Sequence, residues 1–304
     1  MRSTPANGTD EPGRIRRSVA VLRSRWRTVA LVVGLVVIVG TSLVAFYVLT
    51  PYGPDADRVA AVESNPDVEL DRYDGGYVLR GGPVTDETVG LIVYPGARVE
   101  PESYAWTLAP LVEAYDLAIV VPEMPLNFAF FDPGAADDIV ADHPEIDRWA
   151  IGGHSLGGAM ACRYAAGNPD DVDGVLLYAS YCDESDDLRG TDLPVLSIQG
   201  ERDGVIDAER ERDNRYLLGE RGEVVVIDGM NHAQFGAYGD QRGDDSSTID
   251  DETARERLVE KTSIWLEIDV EVVERSDADV RDDIQPVLST TPQTEPVTPI
   301  GWSK

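Results

Sequence analysis

The eleven residues Trp149-Ala150-Ile151-Gly152-Gly153-His154-Ser155-Leu156-Gly157-Gly158-Ala159 constrain the fold more than any other stretch. An apolar run suited to a buried strand leads directly into Gly153-x-Ser155-x-Gly157, and a helical pattern follows from Leu156. A sharp strand-to-helix turn brings backbones together on both sides of its central residue, which leaves space only for glycine at those flanks. It also sets the Ser155 hydroxyl at a helix N-terminus, where partial positive charge favours a developing anion. Ser155 is therefore the candidate nucleophile.

The surrounding pattern fits such a turn. Tyr77–Leu79, Leu91–Tyr94, Leu117–Val121, Trp149–Ile151, Val175–Tyr178, Val195–Ile198 and Val224–Ile227 are short, mostly β-branched runs free of charge, as expected of strands buried on both faces of a parallel sheet. Tyr104–Tyr115, Ala135–Asp142, Leu156–Ala166, Asp207–Leu218 and Thr248–Ile268 alternate with them as expected helices. Alternation of this kind predicts an α/β class domain: a doubly wound, mostly parallel sheet flanked by helices, over residues 52–268. Beyond about Asp269 the chain turns acidic and then Pro/Thr-rich, and 269–304 is expected to be a disordered tail.

A serine hydroxyl needs a base. The chain has three histidines. His154 adjoins the nucleophile, and the tight turn directs it away. His143, in Asp142-His143-Pro144 at a helix end, reads as a solvated surface residue. His232 follows the strand Val224–Ile227 in the loop Asp228-Gly229-Met230-Asn231-His232, the place for a base at the carboxyl edge of a sheet, and it alone permits the chain order Ser, acid, His. The acid is read as Asp203, in Gln199-Gly200-Glu201-Arg202-Asp203-Gly204 after Val195–Ile198, with Asp207 as rival and Glu201 as a weaker one. An oxyanion hole needs two backbone N–H groups. These are assigned to Leu156 and, from the loop Pro95-Gly96-Ala97-Arg98, to Ala97. Arg98 itself is expected in solvent, with substrate contact as the alternative.

The N-terminus carries a separate instruction. Residues 1–27 hold seven arginines against Asp10 and Glu11, a net of +5. An uncharged run follows from Thr28 to Tyr52. Its apolar stretch Val29–Leu49 spans about 30 Å as a helix, the thickness of a bilayer core. A core helix would show a polar face, and a cleaved signal peptide would end in a small-x-small site where this run reads Phe46-Tyr47-Val48-Leu49. The expectation is an uncleaved transmembrane anchor over 28–51, with the basic segment 1–27 in the cytoplasm and the remainder on the outer face. The sequon Asn7-Gly8-Thr9 then lies on the inner side, unmodified.

Charge narrows the partners. Lys+Arg number 26 against 56 Asp+Glu, a net charge of −30, and only Lys261 and Lys304 of the cations are lysines. With hydrophobic residues at 42% the chain is too apolar for an acidic disordered polymer. An acidic, lysine-poor surface suits a halophilic globular protein, because the Debye length falls to about 3 Å in molar salt and screens self-repulsion. Nucleic acid is excluded as a partner: beyond residue 27 there is no basic stripe.

These motifs resemble the α/β-hydrolase superfamily, and within it a prokaryotic branch described as dienelactone-hydrolase-like or carboxymethylenebutenolidase-like. The similarity rests on Tyr94-Pro95-Gly96, Val121-Pro122-Glu123-Met124-Pro125-Leu126-Asn127, Gly152 through Gly158, and Asn231-His232-Ala233-Gln234-Phe235-Gly236, and covers roughly residues 88–268. It implies the α/β-hydrolase fold without a separate lid and a Ser155–Asp203–His232 triad. Dienelactone hydrolases use a cysteine nucleophile, so the serine here departs from that named activity. The two cysteines, Cys162 and Cys182, are expected as buried free thiols, a disulfide between them being the alternative on neighbouring elements. Phe128, Phe130, Phe131, Tyr181, Phe235 and Tyr238 are assigned either to a modest apolar pocket or to the core. The expected activity is hydrolysis of a small-molecule carboxylic ester or related acyl bond by a serine esterase without cofactor or metal, held to the lipid bilayer by 28–51. Acyl transfer, amide cleavage and a catalytically silent membrane-tethered interaction module are the alternatives.

Overall fold

A computed structural model describes residues 11–73 and 75–272. The expected tail from residue 273 and the sequon at Asn7 lie outside the described residues. Two compact units divide at Pro51 and Tyr52.

The first unit is one helix, α1 (Glu11–Val48). Its stretch Val29–Val48 has mean hydropathy 2.7 and exposes its apolar side chains, Leu31, Val36 and Phe46 among them. This is long and apolar enough to cross a membrane. The helix begins well before the apolar run and ends at Val48, short of the expected limit at Pro51, whose ring cannot donate to a further turn.

The second unit opens with α2 (Ala56–Glu63), capped by the Asp55 carboxylate on the N–H groups of Asp57 and Arg58. The chain continues through β1 (Glu69–Tyr73), β2 (Gly76–Arg80), β3 (Val89–Tyr94), α3 (Ala105–Ala114), β4 (Leu117–Val121), α4 (Ala135–Asp142), β5 (Arg148–His154), α5 (Leu156–Gly167), β6 (Gly174–Tyr178), β7 (Val195–Gly200), α6 (Ala208–Asn214), β8 (Gly222–Ile227) and α7 (Asp251–Ile268). The strands form one eight-stranded sheet in the order β1-β2-β4-β3-β5-β6-β7-β8. Strands β1 and β2 pair antiparallel, β2 and β4 antiparallel, and every pair from β4 to β8 is parallel.

Each expected strand lies inside an observed one, and β1 and α2 are additions. The reason is visible in β1. Its Glu-Leu-Asp-Arg-Tyr carries three charges and leaves most of its side chains in solvent, as an edge strand must to resist further pairing. Strand β3 shows the opposite case, buried at every position. Leu91 and Val93 enter the core on one face of the sheet, and Ile92 and Tyr94 enter the core on the other.

Cys162 and Cys182 form a disulfide, Cα atoms 5.6 Å apart, which corrects the expectation of two free thiols. Sequence spacing carries no information on that distance. The packing of α5 over the sheet beside the segment after β6 creates it. Closing a loop with a sequence separation of 20 residues stabilises the fold by about 3 kcal/mol in the chain-entropy view. Reduction should accordingly lower the thermal midpoint by roughly 10 °C, read by calorimetry with and without a phosphine reductant.

Candidate active site

The carboxyl edge of the parallel strands collects every sequence-assigned residue. Ser155 follows β5, the Ala97 loop follows β3, Asp203 follows β7 and His232 follows β8.

Ser155 sits at φ 53°, ψ −122°, a region that L-residues rarely enter. Its N–H donates to Tyr178 O (2.9 Å), and its carbonyl accepts the Ser180 hydroxyl (2.7 Å). The flanking glycines are required sterically. A Cβ on Gly157 would meet Pro95 O at 2.5 Å and the Tyr94 carbonyl still closer, and one on Gly153 would lie 2.7 Å from Gly158 N. Leu156 is the first residue of α5, so its N–H has no carbonyl to meet within the helix.

Asp203 and His232 meet at 2.7 Å, carboxylate Oδ2 to imidazole Nδ1, both side chains almost wholly buried. The other carboxylate oxygen accepts the N–H groups of Val205 (2.8 Å) and Ile206 (3.0 Å), which fixes the acid in place. Two backbone bonds tie the β7 and β8 loops together, Glu201 N–H to Ile227 O and Arg202 N–H to Met230 O. The rival acids are engaged elsewhere. Asp207 caps α6, and Glu201 accepts the N–H of Gly229 at 2.9 Å. With Nδ1 facing a carboxylate, His232 carries its proton there and presents Nε2 as an acceptor. Ser155 Oγ makes no hydrogen bond to His232 among the described residues; in an unliganded site such bonds are commonly long and tighten on binding.

A buried support that sequence reasoning did not find lies behind these groups. The Tyr104 hydroxyl accepts the Gly96 N–H (2.8 Å) and pairs with His154 Nδ1 (2.9 Å). His154 is completely buried, its ring 4.5 Å from that of His232 and stacked at 17° on Phe235. Burial, with the neighbouring His232 adding to it, holds His154 well below the ordinary histidine range, and it is neutral. No local pattern links residues 50 positions apart. With Gly96 N–H taken by Tyr104, and Arg98 N–H by Asn127 O (2.7 Å), the intervening Ala97 N–H has no hydrogen-bond partner among the described residues.

Arg98 departs from expectation. It is half-buried, at φ 61°, with its guanidinium over the Tyr52 ring. His143 is also only partly in solvent, beside Tyr73 and Trp149, because strand β1, absent from the sequence reading, brings Tyr73 over it. Of the assigned aromatics, Phe235 and Tyr238 are core, Tyr181 lines the cleft at Ser155, and Phe130 and Phe131 stand in solvent. That cleft, about 500 Å³, is lined by the apolar Leu156, Met160, Ala179, Val205 and Ile206 and by the charged Asp183, Asp186, Asp207 and Arg163. Arg163 is held by Asp186 at 3.3 Å.

A strained serine at a strand-to-helix turn and a buried acid–histidine pair on one sheet edge define an α/β hydrolase. The family model for the alpha/beta hydrolase family matches residues 90–256, more than half of the chain, and the chain belongs to that family. Solved structures share the fold. A putative lipase from Acinetobacter baumannii AYE is 12% identical over 70% of this chain and 96% of its own, with TM-score 0.50. A CIB-like hydrolase from Thermoplasma acidophilum is 16% identical over 66% and 96%, with TM-score 0.46. A dienelactone hydrolase-like promiscuous phosphotriesterase from metagenomic libraries is 16% identical over 65% and 97%, with TM-score 0.47. No curated protein sequence matches the chain.

Proposed function

We infer that this chain is a membrane-anchored serine hydrolase that cleaves a carboxylic ester through an acyl-enzyme on Ser155. The observation that carries this reading is the Asp203–His232 hydrogen bond at the sheet edge where Ser155 is held at positive φ. In the reaction, His232 Nε2 takes the Ser155 proton as Oγ attacks the carbonyl carbon. The N–H groups of Leu156 and Ala97 receive the oxyanion. The imidazolium, steadied by Asp203, then returns the proton to the departing alcohol. Water activated by the same histidine cleaves the acyl-enzyme and releases the acid. The serine separates this activity from cysteine-dependent dienelactone hydrolysis within the branch it resembles.

The anchor is Val29–Val48, with the arginine-rich segment on the cytoplasmic side and the hydrolase on the outer face. The disulfide supports that placement, since such bonds persist outside the reducing cytoplasm. The net charge of −30 supports a halophilic setting, so assays belong in multimolar salt.

The test is labelling by a fluorophosphonate probe together with turnover of short-chain p-nitrophenyl esters. Labelling at Ser155 with ester turnover is expected. Folded protein that neither labels nor turns over would leave the interaction-module reading in its place. Tyr104→Phe tests the support behind the site. It strips the acceptor from Gly96 N–H and the hydrogen-bond partner from His154 Nδ1. The expected result is a kcat about 10-fold lower with KM within about twofold, because the oxyanion loop acts on the transition state and not on ground-state binding. Lost stability without that split would reduce Tyr104 to a packing residue.

A further inference from the structure

The hydrolase unit has an apolar patch whose position says where its substrate is found. Leu126, Phe130 and Phe131 are 56%, 58% and 57% exposed and lie within six residues of one another, whereas the unit's other exposed large apolar side chains, such as Tyr216, Val226, Ile264 and Ile268, are spread along the chain. They lie in the connection that follows β4, at the carboxyl edge of the sheet. The 3-10 turn Ala129–Phe131 packs on α5, the helix that begins beside Ser155. Leu126 and Asn127 are both in the left-handed region, at φ 55° and 58°, a conformation that asparagine tolerates and leucine adopts at a cost.

The point where the chain enters the unit is at the same edge. Tyr52 N–H donates to Arg98 O (2.6 Å), and Arg98 N–H donates to Asn127 O (2.7 Å), so two hydrogen bonds connect the entry residue to the patch. The Tyr52 ring also lies 5.6 Å from Tyr238, which neighbours His154 behind the site. Residues 49–51 are all that separate the end of the candidate span at Val48 from Tyr52, a covalent reach of about 14 Å. Aromatic and leucine side chains exposed at this edge match the headgroup–acyl boundary, and the chain's net charge of −30 opposes attraction to anionic lipid as the alternative source of adhesion. The cleft agrees: much of its lining is apolar, and its charged side chains are largely paired, Asp186 with Arg163 and Asp183 with Arg210, which suits a neutral substrate.

We propose that Leu126, Phe130 and Phe131 seat the hydrolase unit on the bilayer with the Ser155 cleft turned toward it, and that the substrate is a neutral apolar ester dissolved in the membrane. This rests on the anchored serine-hydrolase reading given above. The experiment uses the full chain in nanodiscs in multimolar salt, with two substrates: water-soluble p-nitrophenyl acetate and a long-chain p-nitrophenyl ester partitioned into the disc. Serine at all three positions (Leu126→Ser, Phe130→Ser, Phe131→Ser) should lower turnover of the partitioned ester at least tenfold and leave the soluble ester within twofold. Equal loss on both substrates, or loss on neither, overturns the proposal. Parent protein that turns over only the soluble ester overturns the membrane substrate. If neither ester is turned over, the hydrolase reading and the substrate fall together. The seating is decided independently by Phe131→Trp, whose added emission should be quenched at least twofold by brominated lipid in the disc; an unquenched signal overturns it.

Discussion

Ser155→Ala should lower ester kcat/KM by on the order of 10⁵- to 10⁶-fold, His232→Ala by about the same factor, and the double variant by no more than either alone. The non-additivity is the informative part. Nucleophile and base perform one step, so removing either leaves only binding and the oxyanion donors to act. Asp203→Asn should cost about 10⁴-fold. An amide in place of the carboxylate that faces His232 Nδ1 at 2.7 Å favours the wrong imidazole tautomer and leaves the imidazolium unsupported. Steady-state kinetics on p-nitrophenyl butyrate in multimolar salt gives all four values, with circular dichroism to show that each variant is folded. Retention of more than about a tenth of the activity by Ser155→Ala would place the nucleophile elsewhere. A full loss in Ser155→Ala with an active His232→Ala would demand another base. His154 is poorly suited to that role, because Tyr104 occupies its Nδ1 and the ring is wholly buried.

Gly157→Ala should prevent folding or destabilise the unit by at least about 4 kcal/mol, far beyond an ordinary surface change. The added carbon would collide with the carbonyl oxygens of Tyr94 and Pro95. Neither can yield. Tyr94 is the last residue of β3, which is buried at every position and pairs with β4 on one side and β5 on the other. Gly167→Ala is the matched control. It lies at the far end of the same helix, where a Cβ would meet nothing within 4 Å, and is expected within about 0.5 kcal/mol of the parent or slightly more stable. Urea titration of the two variants beside the parent measures the difference. If Gly157→Ala were as stable as Gly167→Ala, the close approach of the elbow to the β3 edge would be refuted.

Both predictions start from one motif, yet they draw on different information. The glycines around Ser155 are legible in sequence because the turn they permit is local. Their steric partners, Tyr94 and Pro95, lie some sixty positions earlier and are known only from the parallel pairing of β3 with β5. The disulfide illustrates the same division. Two cysteines were plain in the chain, and the free-thiol expectation failed because the 5.6 Å approach is set by how α5 lies on the sheet.

The sequence by itself determined what short-range chemistry dictates. Charge-free β-branched runs specified seven of the eight strands, because a strand buried on both faces admits little else. The apolar stretch after the arginines specified a helix able to cross a bilayer. Gly-x-Ser-x-Gly between a strand and a helix specified the turn, and the scarcity of histidines narrowed the candidates for a base to His232. Tertiary structure decided what depends on groups distant in the chain. It brought Asp203 rather than Glu201 or Asp207 to His232, placed Tyr104 between Gly96 and His154, and laid the half-buried Arg98 over Tyr52. It also left Phe130 and Phe131 in solvent beside α5, where composition alone offered pocket and core equally. A contact between remote residues leaves no periodicity or spacing to read, since what selects it is the sheet order and the packing of both faces, and these exist only once the chain has folded.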